Sequence, residues 1–142
     1  MKIWRENFTL EELNRSSKHT MMEHLGIEYS EIGEDYIKAR MPVDHRTKQP
    51  AGLLHGGASV ALAESLGSVA SFLCINPQKY DCVGVEINAN HLRSVRQGFV
   101  EGTVRPLRLG RRIQVWEIKI RNEQKSLVCV SRLTMAVIEK KT

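Results

Sequence analysis

The chain has 142 residues and 42% apolar content, enough for one domain over 1–142 with a real core and too little for two. Twenty-one basic against sixteen acidic residues give a net charge of +5, a modest excess that favours an anionic partner such as a nucleic acid, a phosphorylated cofactor or a nucleotide-tailed substrate. Aromatics at 6% are too sparse for a base-stacking platform, no apolar run is read as bilayer-spanning, and no signal region follows Met1-Lys2-Ile3-Trp4-Arg5-Glu6, so the reading is cytoplasmic, without nucleic-acid or membrane partner.

In chain order, Thr9-Leu10-Glu11-Glu12 opens a helix. Thr9 is placed to cap and Glu12 stands three residues on, as in a capping box, so a short helix through about Ser17 is expected. Residues 24–31 read as a strand, Gly33 to Asp35 as a turn and Tyr36 to Met41 as the strand's partner, ended by Pro42. From Gly56 to about Cys74 the period changes. Ala58, Ala61, Leu62, Ser65, Leu66, Val69, Ala70 and Leu73 form an apolar, small-residue face at helical spacing. Gly57 and Gly67 each weaken such a helix by roughly 1 kcal/mol, which close approach of a neighbour would offset.

After this helix the chain reads as strands over 82–93, 99–109, 112–121 and 127–138, with turns at Leu109-Gly110-Arg111 and Asn122-Glu123-Gln124-Lys125. Trp116, Ile118 and Ile120 alternate with Glu117 and Lys119, as on a sheet with one packed face. The order helix, two strands, long helix, four strands implies an α+β fold. A curved antiparallel sheet wrapping the long helix would bury its stripe.

Cys74, Cys82 and Cys129 are scattered and odd in number, without C-x-x-C spacing, so neither a disulfide framework nor a metal site is expected. No phosphate-binding loop, dinucleotide fingerprint or G-x-S-x-G elbow is present, and no cofactor is expected.

The chemistry concentrates in Gln49-Pro50-Ala51-Gly52-Leu53-Leu54-His55-Gly56-Gly57, which runs into the long helix carrying Glu64. A carboxylate in an otherwise apolar or small-residue run is costly to bury unless paired or used. Glu64 reads as a nucleophile or a general base; a solvent-facing carboxylate, or one paired with a strand arginine, is the structural alternative. Ser68 lies one turn on, on the same face. Gly56 offers an N–H at the positive end of the helix, where a carbonyl oxygen gaining charge would be stabilised, or else serves a turn alone. Gln49 is placed to donate to the same oxygen or to stand in solvent. His55 orients a carbonyl or caps the helix, and His91 lines the pocket or ends a strand exposed. Arg93, Arg96 and Arg105 through Arg112 are the basic groups available to an anion, or solvated strand ends.

The pattern Gln49-Pro-x-Gly-x-x-His55-Gly56-Gly57, with Glu64 and Ser68 following, resembles the hotdog-fold acyl-coenzyme A thioesterases. Within them the match is to the branch holding the bacterial 4-hydroxybenzoyl-CoA and 1,4-dihydroxy-2-naphthoyl-CoA thioesterases and the enterobactin-pathway proofreading thioesterase. The resemblance runs from Trp4 through Val137 and includes Met41-Pro42-Val43-Asp44, Glu86 through His91 and Leu109-Gly110-Arg111. It implies hydrolysis of an acyl-CoA, with an aromatic acyl group and menaquinone synthesis as the specific expectation. A medium-chain or broad acyl-CoA or acyl-carrier-protein thioesterase, a hotdog dehydratase and a non-catalytic acyl-CoA module are the alternatives. It also implies a homodimer assembling as a homotetramer, with each site shared by two chains. Glu64 would come from one, and Gly56, Gln49 and His55 from the other, with Ser68 holding the carboxylate or a water. His91 would line the pocket, Val83 and Gly84 would pass the pantetheine arm, and Arg93 and Gly110, Arg111 and Arg112 would meet the nucleotide phosphates. Ala51 replaces the phenylalanine frequent beside the acyl pocket, Ser94 replaces a proline, Leu92 a histidine and Ser65 a threonine.

Overall fold

A computed structural model describes residues 1–141. Helix α1 spans Leu10–Ser16 and carries the full capping box, Thr9 Oγ1 accepting from Glu12 N–H at 3.1 Å and Glu12 Oε2 accepting from Thr9 N–H at 2.9 Å. His24, expected as the first residue of a strand, instead ends a one-turn helix, α2, over Met21–His24. Thr20 Oγ1 caps it by accepting from Met22 N–H at 3.2 Å, and Gly26, at φ +72°, turns the chain into β1. Strand β1 therefore starts later, over Glu28–Ile32.

Strand β2 (Ile37–Pro42) pairs with β1. Helix α3 covers Gly56–Leu73, the span expected from its period. The last four strands are β3 (Tyr80–His91), β4 (Phe99–Leu109), β5 (Ile113–Asn122) and β6 (Leu127–Glu139). All six strands form one antiparallel sheet in the order β1-β2-β4-β5-β6-β3. It curves around α3, whose Leu62, Ala63, Leu66 and Ala70 are fully buried against Trp116, Ile118, Ile120 and Leu133. Each large aliphatic side chain so buried contributes about 1.5–3 kcal/mol.

Gly67 meets the expectation of close approach. A side chain there would collide with Leu133 of β6, so the glycine lets helix and sheet touch. By length and composition α3 does reach the measure of a membrane span, contrary to the sequence reading, but half of it is buried inside the sheet. Two buried polar groups pair across the core, Ser71 Oγ with Gln114 Oε1 at 2.6 Å, while Trp116 Nε1 has no partner among the described residues.

Candidate active site

Residues 44–55 form a closed loop that delivers the chain to α3. The Arg46 guanidinium, bonding the Asp44 carboxylate at 2.7 Å, holds that carboxyl down to about 2. Buried Thr47 donates to Pro42 O at 2.6 Å and accepts through its own carbonyl from His55 N–H at 2.8 Å. Inside this frame Gln49 O accepts from Gly52 N–H at 2.9 Å, a turn with Pro50 second and Gly52, at φ +82°, last. Gln49 Oε1 accepts from Ala51 N–H, which fixes the amide and leaves its NH₂ free to donate elsewhere.

His55 is the N-cap of α3. Its Nδ1 accepts from Gly57 N–H at 2.8 Å, and its carbonyl accepts from Ala58 N–H at 3.0 Å and Ser59 N–H at 3.2 Å. Of the two roles read from sequence, capping is the one the ring performs here. With Nδ1 an acceptor, the ring proton sits on Nε2 and faces outward. Gly56 N–H is left with no partner among the described residues, at the positive end of an eighteen-residue helix. The His91 ring lies on Gly56, its Nε2 2.9 Å from where a Cβ would stand. Gln49, Gly56, Ser59, His91 and Arg93 share one cleft of about 380 Å³, walled by Leu54, Leu92 and Val128.

Glu64 is half-buried and lies in a different cleft. Among the described residues it has neither ion pair nor hydrogen bond, so the arginine-paired alternative does not hold. Its Oε2 lies 2.9 Å from where a Cβ on Gly84 would stand. Ser68 lines the same cleft, but its hydroxyl approaches Met135 Sδ at 4.0 Å and makes no bond to Glu64. Met21, Met22, Tyr29, Ser65, Val69 and Phe72 complete a space of about 420 Å³ that is mostly apolar. The sequence reading places no element between the helix ending near Ser17 and the strand begun at His24, and so passes over the methionines. The signal was present in Thr20-x-x-Glu23, a capping pattern.

One chain does not bring the expected set together. Eight helical residues separate Gly56 from Glu64 by about 12 Å, too far to act on one carbonyl group. Arg93 follows the far end of β3, about 26 Å from Val83, whereas Gly110 to Arg112 form the β4–β5 turn beside the Val83 end. Val83 points to the outer face and Gly84 to Glu64. No three His, Cys, Asp or Glu side chains gather as metal ligands among the described residues. Burial pushes the Cys74 thiol up to about 12 and raises Cys82 and Cys129, so none serves as a thiolate nucleophile near neutral pH.

A curved antiparallel sheet wrapped around one long central helix defines the hotdog class of folds. Residues 51–129 match the profile of the thioesterase superfamily, and the chain belongs to that family. It is 54% identical over 136 residues to the 1,4-dihydroxy-2-naphthoyl-CoA hydrolase of Escherichia coli, covering 96% of this chain and 99% of that one. The thioesterase HI1161 of Haemophilus influenzae superposes with a TM-score of 0.93 at 56% identity, over 96% of this chain and 95% of the other. A mutant form of the thioesterase PA1618 of Pseudomonas aeruginosa superposes at 0.96 with 48% identity, over 98% and 100%.

Proposed function

We propose that the protein hydrolyses an acyl-CoA thioester to the free acid and coenzyme A at a site built by two copies of the chain. The observation that carries this reading is the split between Gly56 and Glu64, two unpartnered groups in separate clefts of one chain. A twofold axis alongside the middle of α3 sets Gly56 of one copy against Glu64 of the other. Because Gly56 packs on His91 and Glu64 on Gly84, the same axis crosses β3 near Ile87 and Asn88. Strand β3 is the sheet edge, twelve residues long with Val83 and Val85 exposed, and pairing it with its copy removes an aggregation-prone edge. That arrangement also draws Arg93 of one copy towards the Gly110–Arg112 turn of the other, forming one basic rim for the nucleotide phosphates. Two such dimers make the proposed homotetramer, and the same rim suits a phosphopantetheine-bearing acyl carrier protein.

In this site the Gly56 N–H and the Gln49 NH₂ bind the thioester oxygen and hold the negative charge that develops on it. The Glu64 carboxylate either attacks the carbonyl carbon or takes a proton from the water that does. Direct attack expels the coenzyme A thiolate and leaves a mixed anhydride, which water opens at the Glu64 carboxyl carbon, so that Glu64 keeps the water oxygen and gives one of its own to the acid. In the other route the activated water adds to the carbonyl carbon, the C–S bond breaks and the acid carries the water oxygen, and in both the thiolate is protonated. His55 Nε2–H is available to the carbonyl. An aromatic acyl group, 1,4-dihydroxy-2-naphthoyl in particular, is the proposed substrate, supported by the likeness to the E. coli hydrolase named for it. The deciding experiment is thiol release from a panel of aryl and fatty acyl-CoA thioesters, with Glu64→Ala lowering kcat by about 10²–10⁴-fold. A Glu64→Ala form retaining near-full rate overturns the assignment. A medium-chain substrate turning over tenfold better than any aryl one overturns the aromatic choice. Single turnover in oxygen-18 water, with label sought in Glu64 itself, separates direct attack from activation of water.

A further inference from the structure

The family profile begins at residue 51, yet four residues lining the Glu64 cleft come from before it: Ser16, Met21, Met22 and Tyr29. They are held there by specific contacts. Asn14 clamps the Tyr29 backbone from both sides, its Oδ1 accepting from Tyr29 N–H at 2.8 Å and its Nδ2 donating to Tyr29 O at 3.1 Å. Thr20 caps α2, and His19, at φ +62°, turns the chain into it. The Tyr29 hydroxyl and the Ser17 hydroxyl both approach Met22 Sδ, at 3.9 and 3.8 Å. Met22 is thus the fixed floor of this wall.

Met21 has no such anchor. It is 59% exposed, and Phe72, on α3, is 45% exposed. Two large apolar side chains exposed on the lining of a cleft that also holds an unpaired carboxylate are placed to be covered by a ligand. Methionine suits the task because its unbranched thioether adapts to shape and packs well against the edge of an aromatic ring.

Resting on the thioesterase reading above, we propose that α2 is the acyl-selectivity element of this enzyme, with Met21 and Phe72 closing on the acyl group and favouring a flat aromatic one. The thioester carbon sits at Glu64, so an acyl group of two carbons ends before α2, whereas an aryl or medium-chain group reaches it. Selectivity then lies in a wall that pairs Met21 of the N-terminal arm with Phe72 of α3, Met21 standing before the residues that the family profile matches.

The test compares acetyl-, octanoyl- and benzoyl-CoA on the wild type, Met21→Ala, Met21→Leu and Phe72→Ala. Both alanine forms are expected to fold, since each side chain is about half exposed, and thermal melting checks this. Met21→Ala is expected to lower kcat/KM about two- to tenfold on benzoyl-CoA, mainly through KM, less on octanoyl-CoA and not measurably on acetyl-CoA. Phe72→Ala follows the same order, and Met21→Leu restores octanoyl-CoA turnover but not the full benzoyl preference. Equal losses on all three substrates, or none on any, overturn the proposal. The same ratios are read as calorimetric affinities on the Glu64→Ala form. A wild type idle on every thioester, with the affinity ratios as expected, overturns the thioesterase reading and keeps the acyl wall. Flat affinity ratios overturn the wall.

Discussion

Glu64 Oε2 and Gly84 face one another so closely that a Cβ at residue 84 would stand 2.9 Å from the carboxylate oxygen. The atom that would have to yield is the end of a flexible side chain, not backbone, so Gly84→Ala is expected to fold normally and displace the carboxylate. A shift of about 1 Å at a reacting group costs up to roughly a hundredfold in rate. The expected result is a drop in kcat of at least tenfold with a melting temperature within a few degrees of wild type. Unchanged kcat would place the reacting group elsewhere.

Gly56 is the first residue of α3, the position where proline is tolerated best. Gly56→Pro removes the one N–H of the first turn that has no partner among the described residues, at a helix position that accepts proline, and its Cβ would press on the His91 ring. Loss of one oxyanion donor is expected to cost about 10²–10³-fold in kcat. Circular dichroism with steady-state kinetics separates this from misfolding.

If Glu64 and Gly56 meet only across two chains, co-expressed Glu64→Ala and Gly56→Pro subunits regain activity that neither has alone. In the mixed dimer one site receives both intact groups and the other both defects, so the rate rises to at most half of wild type. Tagged purification of the heterodimer followed by an assay is the measurement, and no recovery at all would mean that each site is built within one chain.

His55 carries a structural duty that separates from its chemical one. His55→Ala forfeits the side-chain cap on Gly57 N–H and is expected to cost about 0.5–2 kcal/mol, whereas His55→Asn, itself a good cap, keeps most of that stability. Both lose the Nε2–H, so both are expected to lose turnover. Denaturant titration beside kinetics reads the two effects independently.

The thiols give a pH test. Cys74 is raised from 9.0 to about 12 by burial, so folding carries no penalty from it below pH 9, where both states hold the proton. Between pH 9 and 12 the unfolded chain ionises while the folded one does not, and stability falls as pH rises. Alkylation by iodoacetamide at pH 8 is expected to be slow on the native protein and fast after denaturation. Rapid native labelling of Cys74 would show that its site opens.

Several elements were legible because their signals are local. The Thr9–Glu12 box, the period of α3, the alternation of Trp116, Ile118 and Ile120 and the turn at Asn122 to Lys125 each depend on residues a few positions apart, and each stands where the sequence places it. Full-length likeness likewise names the family. Only the tertiary structure decided how the candidate site residues are distributed. It put Gly56 and Glu64 in separate clefts because a straight helix holds residues eight apart on one line and never folds back. It brought α2, whose cap at Thr20 is a local signal, into one cleft with Glu64 of α3, a placement no local pattern records. It also set Gly84 against a carboxylate twenty residues earlier in the chain, a proximity created by packing β3 against α3 and written in no local pattern.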